Sequence, residues 1–268
     1  QDNPLTHRPR KRFGQNFLHD PSVIQRIVDA IRPTEGERLV EIGPGRGALT
    51  RELLPITGEM DAVELDRDLL EPLTHLCANL GKLHLHSADA LKFNFCTLRR
   101  GQQRLRIIGN LPYNISTPLL FHLLDQAECI QDMHFMLQKE VVDRMTAAPG
   151  SKTYGRLSVM LQVCAEVVSL FDLGPGAFVP APKVDSSFVR IRPYQTPPLR
   201  IEDLEVFRRL VTQAFSQRRK TLRNTLKGMV TAAAIQELGI DPGLRAECLP
   251  LQAFAELANF AYKHPLST

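Results

Sequence analysis

The sequence lacks any apolar run long enough to cross a membrane, which excludes a transmembrane function. No apolar segment of the signal-peptide type accompanies the basic residues near its beginning, Arg8, Arg10, Lys11 and Arg12. The chain also lacks Cys-x-x-Cys spacing and any set of residues with metal-ligand spacing, so we expect no metal. Its five cysteines are scattered, at Cys77, Cys96, Cys129, Cys164 and Cys248. We expect them to be small, reduced core residues of a cytoplasmic protein.

One long stretch has no acidic residue, since none lies between Glu205 and Glu237. Over residues 207–227 the pattern predicts a helix with a break near 217, whose apolar stripe consists of Val211, Phe215, Leu222 and Leu226. The same stretch supplies the candidates for polyanion binding: Arg209, Arg218, Arg219, Lys220, Arg223 and Lys227. A solvated surface helix usually mixes both charges. We therefore favour polyanion binding, although the net charge of the whole chain is only +4.

The order of elements indicates two domains. Strand and helix patterns alternate from residue 39 to about 148, which predicts a mostly parallel sheet. Two further strands are expected over 166–173 and 186–191, and residues 200–268 contain only helical patterns. The expected division is an α/β domain over 1–195 and a small all-helical domain over 196–268.

A glycine-rich turn follows the apolar strand predicted at 39–42. Gly43, Gly45 and Gly47 allow the backbone to turn tightly and to approach a ligand, and the helix that follows offers free N–H groups. Glu64 ends the next strand, about twenty residues further on, the spacing at which an acid reaches ribose hydroxyls. Asp89 follows the third strand and could accept a hydrogen bond from an adenine amino group. These residues predict a nucleoside pocket at the strand ends.

A second polar group follows the apolar strand predicted at 105–109. Asn110, Leu111, Pro112 and Tyr113 place a side-chain amide, a rigid turn and an aromatic ring where ligands bind in open α/β sheets. Carbonyl oxygens accept hydrogen bonds from an amino group, and an aromatic ring stacks on a flat base. The tetrapeptide therefore favours a substrate with an amino group on a planar ring.

Two cofactors fit a glycine-rich turn with a distal acid. A nicotinamide dinucleotide is bound by Gly-x-Gly-x-x-Gly, whereas this chain has Gly-x-Gly-x-Gly with Pro44 between the first two glycines. Pro44 removes an N–H donor that a pyrophosphate would use, and nothing downstream indicates hydride transfer. S-adenosylmethionine is the favoured cofactor.

The motifs and their order closely resemble the ribosomal RNA adenine dimethyltransferase family, and its small-subunit branch most of all. The resemblance covers nearly the whole chain and rests on these blocks: 13–18, 41–47, Glu64, Asp89, 110–117, 138–141, 154–158 and 178–186. It implies a Rossmann-like methyltransferase domain followed by a small helical domain. It also implies dimethylation at N6 of two adjacent adenosines near the 3′ end of small-subunit ribosomal RNA, with S-adenosylhomocysteine as product.

The resemblance also implies roles for individual residues. The cofactor-binding residues are Asn16 and Leu18, which close over the cofactor, Gly43 and Gly45 in the turn, Glu64, Asp89 and Asn110. The catalytic residues are Asn110, Leu111, Pro112, Tyr113 and Phe178. Tyr113 is expected to stack on the target adenine. Phe178, in a proline-stiffened loop, is expected to be exposed and to provide a second stacking ring. Arg46 has no assigned role.

Three alternatives remain open. The large-subunit, antibiotic-resistance branch dimethylates one adenosine, but residues 109–114 and 154–158 resemble the small-subunit branch. A ribosome-assembly factor with secondary catalysis is a second reading, although every expected catalytic residue is present. An N6-adenine DNA methyltransferase would usually add a large target-recognition domain. We expect a monomer that acts on small-subunit RNA or its assembly precursor, without membrane contact.

Overall fold

The computed structural model of the protein describes residues 13–267. These residues form two units, the first made of 13–142 with Val168–Pro193 and the second of Asp143–Val167 with 194–267. The chain therefore enters the second unit twice. The expected division after residue 195 is close to the second entry at Tyr194, but it assigns Asp143–Val167 to the first domain.

A seven-stranded sheet forms the centre of the first unit. In chain order its strands are β2 (Arg38–Ile42), β3 (Glu59–Glu64), β4 (Lys82–Ser87), β5 (Leu105–Asn110), β6 (Ile130–Gln138), β7 (Ala165–Leu173) and β9 (Ser186–Pro193). A separate two-stranded sheet pairs β1 (Phe17–Leu18) with β8 (Phe178–Val179). The spatial order is β4-β3-β2-β5-β6-β9-β7. Neighbours from β4 to β6 are parallel, and β9 runs antiparallel to β6. The expected Rossmann-like, mostly parallel sheet is confirmed.

Helices connect the parallel strands. They are α2 (Thr50–Thr57), α3 (Leu70–Cys77) and α4 (Ser116–Leu124), whereas α1 (Pro21–Ile31) precedes β2 and α5 (Lys139–Met145) follows β6. The predicted start of α1 is confirmed: the Asp20 side chain accepts hydrogen bonds from the N–H groups of Ser22 and Val23, with Pro21 at the first helical position. Apolar residues every third or fourth position, such as Ile24, Ile27 and Ile31, then face the core.

The register of the sheet brings the ends of four parallel strands to one edge. Ile42 pairs with Val63, Glu64 pairs with Ser87, and Asn110 pairs with Met136. Because parallel strands share a direction, the turns that leave β2, β3, β4 and β5 all lie at this carboxyl edge. The fold therefore assembles residues that lie in separate turns of the sequence.

The second unit is helical. Its helices include α6 (Arg156–Cys164), α7 (Leu204–Ala214), α8 (Leu222–Thr225), α9 (Ala232–Glu237) and α10 (Leu251–Lys263). Phe215 stacks on Phe254 with ring centroids 5.6 Å apart, and Tyr154 meets Phe215 edge-on at 6.1 Å. The buried Tyr154 hydroxyl donates to the Leu249 carbonyl at 2.7 Å. The helices expected from residue 200 onward are thus present, and aromatic side chains pack between them.

The expectation of five reduced core cysteines is wrong for several of them. Cys96 and Cys129 form a disulfide with Cα atoms 5.5 Å apart, and Cys248 is exposed. Cys77 alone among the three free cysteines is buried as expected. The paired cysteines are 33 residues apart and lie in short 3-10 helices, one before β5 and one directly before β6, so their spacing in the sequence carried no signal. Within residues 13–267, no helix is long and apolar enough to span a membrane.

Candidate active site

A cavity of about 200 Å³ opens at the carboxyl edge of the sheet, entirely within the first unit. It is lined by the N-terminal segment 13–18, the turn after β2, and the ends of β3, β4 and β5. The predicted site residues that line it are Asn16, Leu18, Gly43, Gly45, Glu64, Asp89, Asn110, Leu111 and Pro112. Two predicted residues, Tyr113 and Phe178, do not line it.

The glycine-rich turn has the backbone that only glycine adopts easily. Gly43 and Gly45 have φ values of +66° and +57°, in the left-handed region. The Gly43 N–H is fixed by the Val63 carbonyl at 2.8 Å. A Cβ at Gly45 would lie 3.0 Å from the Phe17 ring. The alternating glycines therefore shape the turn and leave room for the N-terminal segment to cross it.

The Glu64 carboxylate is held by main-chain donors. The Gly45 N–H donates to Oε1 at 3.1 Å and the Asp66 N–H donates to Oε2 at 2.9 Å. Burial raises the pKa of Glu64, and these hydrogen bonds oppose that shift. Each carboxylate oxygen has a second lone pair, so the fixed carboxylate can accept one hydroxyl at each oxygen. That arrangement suits a ribose diol.

Glu41 is a second buried acid, which sequence reasoning did not assign to the site. It is 2% exposed, lines the cavity, and accepts a hydrogen bond from the Thr50 hydroxyl. Burial raises its pKa to about 7, and the nearby charge of Glu64 adds to the shift. The available signal was an acid inside the apolar strand of Leu39, Val40 and Ile42, where a charge is costly.

Asn110 has its amide orientation fixed by the N-terminal segment. Its Nδ2 donates to the main-chain carbonyl of Asn16 at 2.8 Å, while Asn16 in turn donates its side-chain Nδ2 to the Gly14 carbonyl at 3.3 Å. With Nδ2 used as the donor, Oδ1 is the acceptor that Asn110 presents. The Leu111 N–H is taken by the Met136 carbonyl at 3.2 Å, which anchors the turn to β6.

Asp89 follows β4, the edge strand of the sheet, and lines the cavity there. Its Oδ1 accepts the Leu91 N–H at 3.0 Å, and the residue is half-buried. Oδ2 is then the oxygen suited to a donor such as an exocyclic amine. Leu18, 6% exposed, packs into the core from the small β1–β8 sheet and lines the same cavity.

Tyr113 and Phe178 lie outside the lining of the cavity. The half-buried Tyr113 makes a hydrogen bond between its hydroxyl and that of Ser186, and burial raises its pKa. The expectation that Phe178 is exposed is wrong: the ring is 1% exposed and belongs to the main hydrophobic core. Its strand β8 pairs with β1, which turns the aromatic side chain inward and leaves Val179 exposed. A buried ring cannot stack on an incoming base.

The six basic residues proposed for polyanion binding are all exposed in the second unit. Helix α7 ends at Ala214 and α8 begins at Leu222, so the expected break near 217 is confirmed. The expected apolar stripe is confirmed at Val211, Leu222 and Leu226, which are buried. Arg218 is the member engaged within the unit, since it donates to the Lys152 carbonyl at 2.8 Å and lies 3.9 Å from Glu247.

Chemically, the cavity combines acceptors for hydroxyl and amino groups with an apolar lining. It presents carboxylates at Glu64 and Asp89 and an amide oxygen at Asn110, each at a strand end. This set can bind a nucleoside and orient an amine beside it, and it contains no nucleophile paired with a base among the described lining residues.

Comparison with known sequences gives one family and a consistent set of relatives. The family model described as ribosomal RNA adenine dimethylase matches residues 6–263. A ribosomal RNA small subunit methyltransferase A from Hahella chejuensis is 56% identical over 98% of this chain and 96% of its own length. A protein of the same name from Nitrosococcus oceani is 54% identical over 97% of this chain and 99% of its own length.

Comparison with solved structures supports the fold. A dimethyladenosine transferase from Plasmodium falciparum has a TM-score of 0.78 at 24% identity and covers 92% of this chain and 98% of its own. The 23S rRNA methyltransferase ErmE has a TM-score of 0.70 at 24% identity, with 91% and 98% covered. At this identity the two structures establish the common architecture alone.

Proposed function

Because the chain belongs to the ribosomal RNA adenine dimethylase family, we propose that it is an S-adenosylmethionine-dependent enzyme that dimethylates N6 of adenosines in small-subunit ribosomal RNA. Two adjacent adenosines near the 3′ end are the proposed targets, and S-adenosylhomocysteine is the product. The observation that carries this proposal is the orientation of the Asn110 amide. Its Nδ2 donates to the Asn16 carbonyl, so its Oδ1 is the acceptor at the carboxyl edge of the sheet. Glu64 and Asp89, which suit a nucleoside, line the same cavity.

The residues present fit the cofactor. Glu64 would accept the two ribose hydroxyls, because its carboxylate is already fixed by one main-chain donor on each oxygen. Asp89 would accept the adenine amino group, and the Gly43 backbone would approach the methionine end. Asn16 and Leu18 would close the cavity from the N-terminal segment. When bound, the cofactor supplies a methyl group already activated by a sulfonium, so we expect no metal.

The target amine is a poor nucleophile, since its lone pair is delocalised into the adenine ring. Asn110 Oδ1 and the Leu111 carbonyl are the two acceptors that would hold its N–H groups. Accepting both hydrogens outside the ring plane favours a pyramidal nitrogen with an available lone pair. Orientation and fixed dipoles supply most of the acceleration, because the amide is positioned before substrate arrives. Tyr113, locked through Ser186, would stack on the base.

No strong general base is required. Once the nitrogen has gained a methyl it carries a positive charge, and its proton becomes acidic enough to leave to water. A second methylation needs space for the first methyl, and the monomethylated nitrogen has only one N–H left to donate. Pro112 and the apolar lining beside Asn110 are the surfaces against which that methyl would pack.

The small subunit is favoured over the large subunit as substrate by the similar proteins. Proteins 54% and 56% identical are small subunit methyltransferases by name, whereas the 23S enzyme is only 24% identical. We propose that the chain acts in ribosome biogenesis in the cytoplasm as a monomer, on the subunit RNA or its assembly precursor. The six exposed basic residues of the second unit are proposed to contact RNA phosphates.

The test is methyl transfer to separated substrates. The protein is incubated with methyl-labelled S-adenosylmethionine and, separately, with unmethylated small subunits, large subunits and duplex DNA. We expect label in the small-subunit RNA, recovered as N6,N6-dimethyladenosine after nuclease digestion. Label confined to large subunits would indicate the antibiotic-resistance activity, and small-subunit binding without any label would indicate an assembly factor without catalysis.

A further inference from the structure

Arg46 occupies an unusual position for a charged residue. It stands between Gly45 and Gly47 in the glycine-rich turn, lines the cavity, and is half-buried. Its guanidinium lies over the face of the Phe17 ring, 4.4 Å from the centroid. Cation–π stacking of this kind holds a guanidinium plane in place and leaves its edge able to donate hydrogen bonds. Phe17 itself is buried and packs against Gly45, so the platform under Arg46 is rigid.

The charges of the cavity make Arg46 distinctive. The described residues that line the cavity include three acidic side chains, those of Glu41, Glu64 and Asp89, and a single basic side chain, that of Arg46. Burial lowers the pKa of the Arg46 guanidinium, yet arginine stays charged at neutral pH. A guanidinium held partly out of water makes a stronger charge-assisted hydrogen bond to an anionic ligand than a fully solvated one does.

The proposed cofactor carries one anionic group, the carboxylate of its amino-acid end. That end is the part that the Gly43 backbone would approach, and Arg46 is three residues further along the same turn. The acids of the cavity suit the hydroxyl and amino donors of the ligand, which leaves Arg46 as the complement to the carboxylate. We propose, on the basis of the proposed function, that Arg46 binds the carboxylate of S-adenosylmethionine and that Phe17 positions its guanidinium.

The experiment compares two ligands that differ only in that carboxylate. Binding of S-adenosylmethionine and of decarboxylated S-adenosylmethionine is measured by calorimetry without RNA, for the wild-type protein and for Arg46→Met and Arg46→Lys. Arg51→Met is the matched control, because Arg51 is an exposed arginine in the helix that follows the turn. Glu64→Ala is the second control, since the ribose that it would contact is common to both ligands.

We expect Arg46→Met to weaken S-adenosylmethionine binding about ten- to a hundredfold, the range for one charge-assisted hydrogen bond. Its affinity for the decarboxylated ligand should change less than about twofold, Arg46→Lys should retain most of the discrimination, and Arg51→Met should change neither. Glu64→Ala should weaken both ligands equally. These results support the assignment.

Three results overturn it. An equal loss of affinity for both ligands in Arg46→Met would make Arg46 a packing residue for the turn. Unchanged binding of both would mean that Arg46 meets another anion, such as an RNA phosphate, or none. Failure of the wild-type protein to bind S-adenosylmethionine would instead contradict the proposed function itself, so the two failures are distinguishable.

Discussion

At the scale of single residues, the same carboxyl group has different properties at different strand ends. Glu64 is fixed by two main-chain N–H groups, whereas Glu41 is buried with one hydroxyl partner at Thr50. Desolvation disfavours the charged form of both, but hydrogen bonds offset it more fully at Glu64. Glu64 is therefore suited to accept ligand hydroxyls, and Glu41 is the group whose charge depends on pH near neutrality.

Glu41 makes stability depend on pH. Its pKa is about 7 in the folded chain against 4.5 for an ordinary glutamate, so the folded state holds the proton more tightly. Stability should therefore fall as the pH rises from about 4.5 to about 7, by an amount on the order of 3 kcal/mol, and stay lower above that. Glu41→Gln should flatten this part of a denaturation profile measured between about pH 5 and pH 8.

The control is Glu52→Gln, which removes an exposed carboxylate from the helix that follows the turn. It should leave the pH profile of the wild-type protein unchanged. A Glu41→Gln profile that runs parallel to the wild-type profile would contradict the assignment of this pH dependence to Glu41.

Variants of Tyr113 distinguish a role of its aromatic ring from a role of its hydroxyl. Tyr113→Phe and Ser186→Ala each remove the hydrogen bond between the two hydroxyls, and we expect each to cost about 1 kcal/mol in unfolding free energy. The double variant should be little less stable than either single one, because the two residues share one hydrogen bond. Methyl transfer should remain within about tenfold in these variants and be mostly abolished in Tyr113→Ala. Equal reductions of rate in Tyr113→Phe and Tyr113→Ala would show that the hydroxyl, not the ring, is required.

At the scale of elements, the site depends on how closely β2 and β5 approach. Gly109 lies in β5 beside Asn110, and a Cβ there would lie 2.6 Å from the Ile42 carbonyl oxygen. Gly109→Ala must push the strands apart, which should cost about 1–3 kcal/mol in stability. Cofactor affinity should fall as well, since Ile42 and Asn110 both line the cavity.

Gly174→Ala is the matched control for this prediction. Its Cβ would meet nothing within 4 Å, and its φ of −75° suits alanine. Its free energy of unfolding should change by less than about 0.5 kcal/mol. A Gly109→Ala protein that is as stable as Gly174→Ala would mean that the two strands separate without cost.

The elements that local pattern determines could be predicted from the sequence. The Asp20-Pro21 start of α1, the apolar strands before each polar turn and the break after α7 all follow from neighbouring residues. The lining residues at the strand ends could be predicted as well, because the carboxyl ends of parallel strands meet at one edge whatever the details of packing. Asn16 and Leu18 were expected from the family resemblance alone.

The features that the sequence did not reveal depend on distant contacts. The burial of Phe178 results from pairing of two-residue strands far apart in the chain, β1 and β8, which have no periodicity to detect. The disulfide likewise joins turns that only the sheet brings together. Glu41 was visible as an acid in an apolar strand, but its burial and its hydrogen bond with Thr50 required the three-dimensional structure.

At the scale of the whole molecule, the cofactor-type cavity and the acid-free basic stretch belong to different units. Changes in one should therefore leave the binding function of the other intact. Lys220 and Arg223 are exposed, and their replacement together by Glu should weaken binding to the small subunit. The slope of log affinity against log salt should fall by about 0.7–0.9 for each phosphate that is no longer neutralised. Filter binding at several salt concentrations measures this, and cofactor affinity should not change.

The matched control is Arg200→Glu, which reverses an exposed charge of the same unit outside the acid-free stretch and next to Glu202. It should leave the salt slope as in the wild-type protein. If Lys220→Glu with Arg223→Glu also leaves slope and affinity unchanged, the stretch is ordinary surface. The phosphate-binding residues would then be sought at Arg8 to Arg12, which lie outside the described residues.

If the Asn110 amide orients the target amine for methyl transfer, its removal must slow the transfer step itself, and single-turnover kinetics of Asn110→Ala measure that step. The rate of methyl transfer to small subunits is measured at saturating cofactor and subunit, with Asn94→Ala as control, since Asn94 is exposed and its side chain caps no helix. We predict a reduction of roughly a hundredfold or more for Asn110→Ala, with subunit binding little changed and Asn94→Ala near the wild-type rate. Near-normal transfer by a folded, subunit-binding Asn110→Ala protein would show that the amide does not orient the target amine.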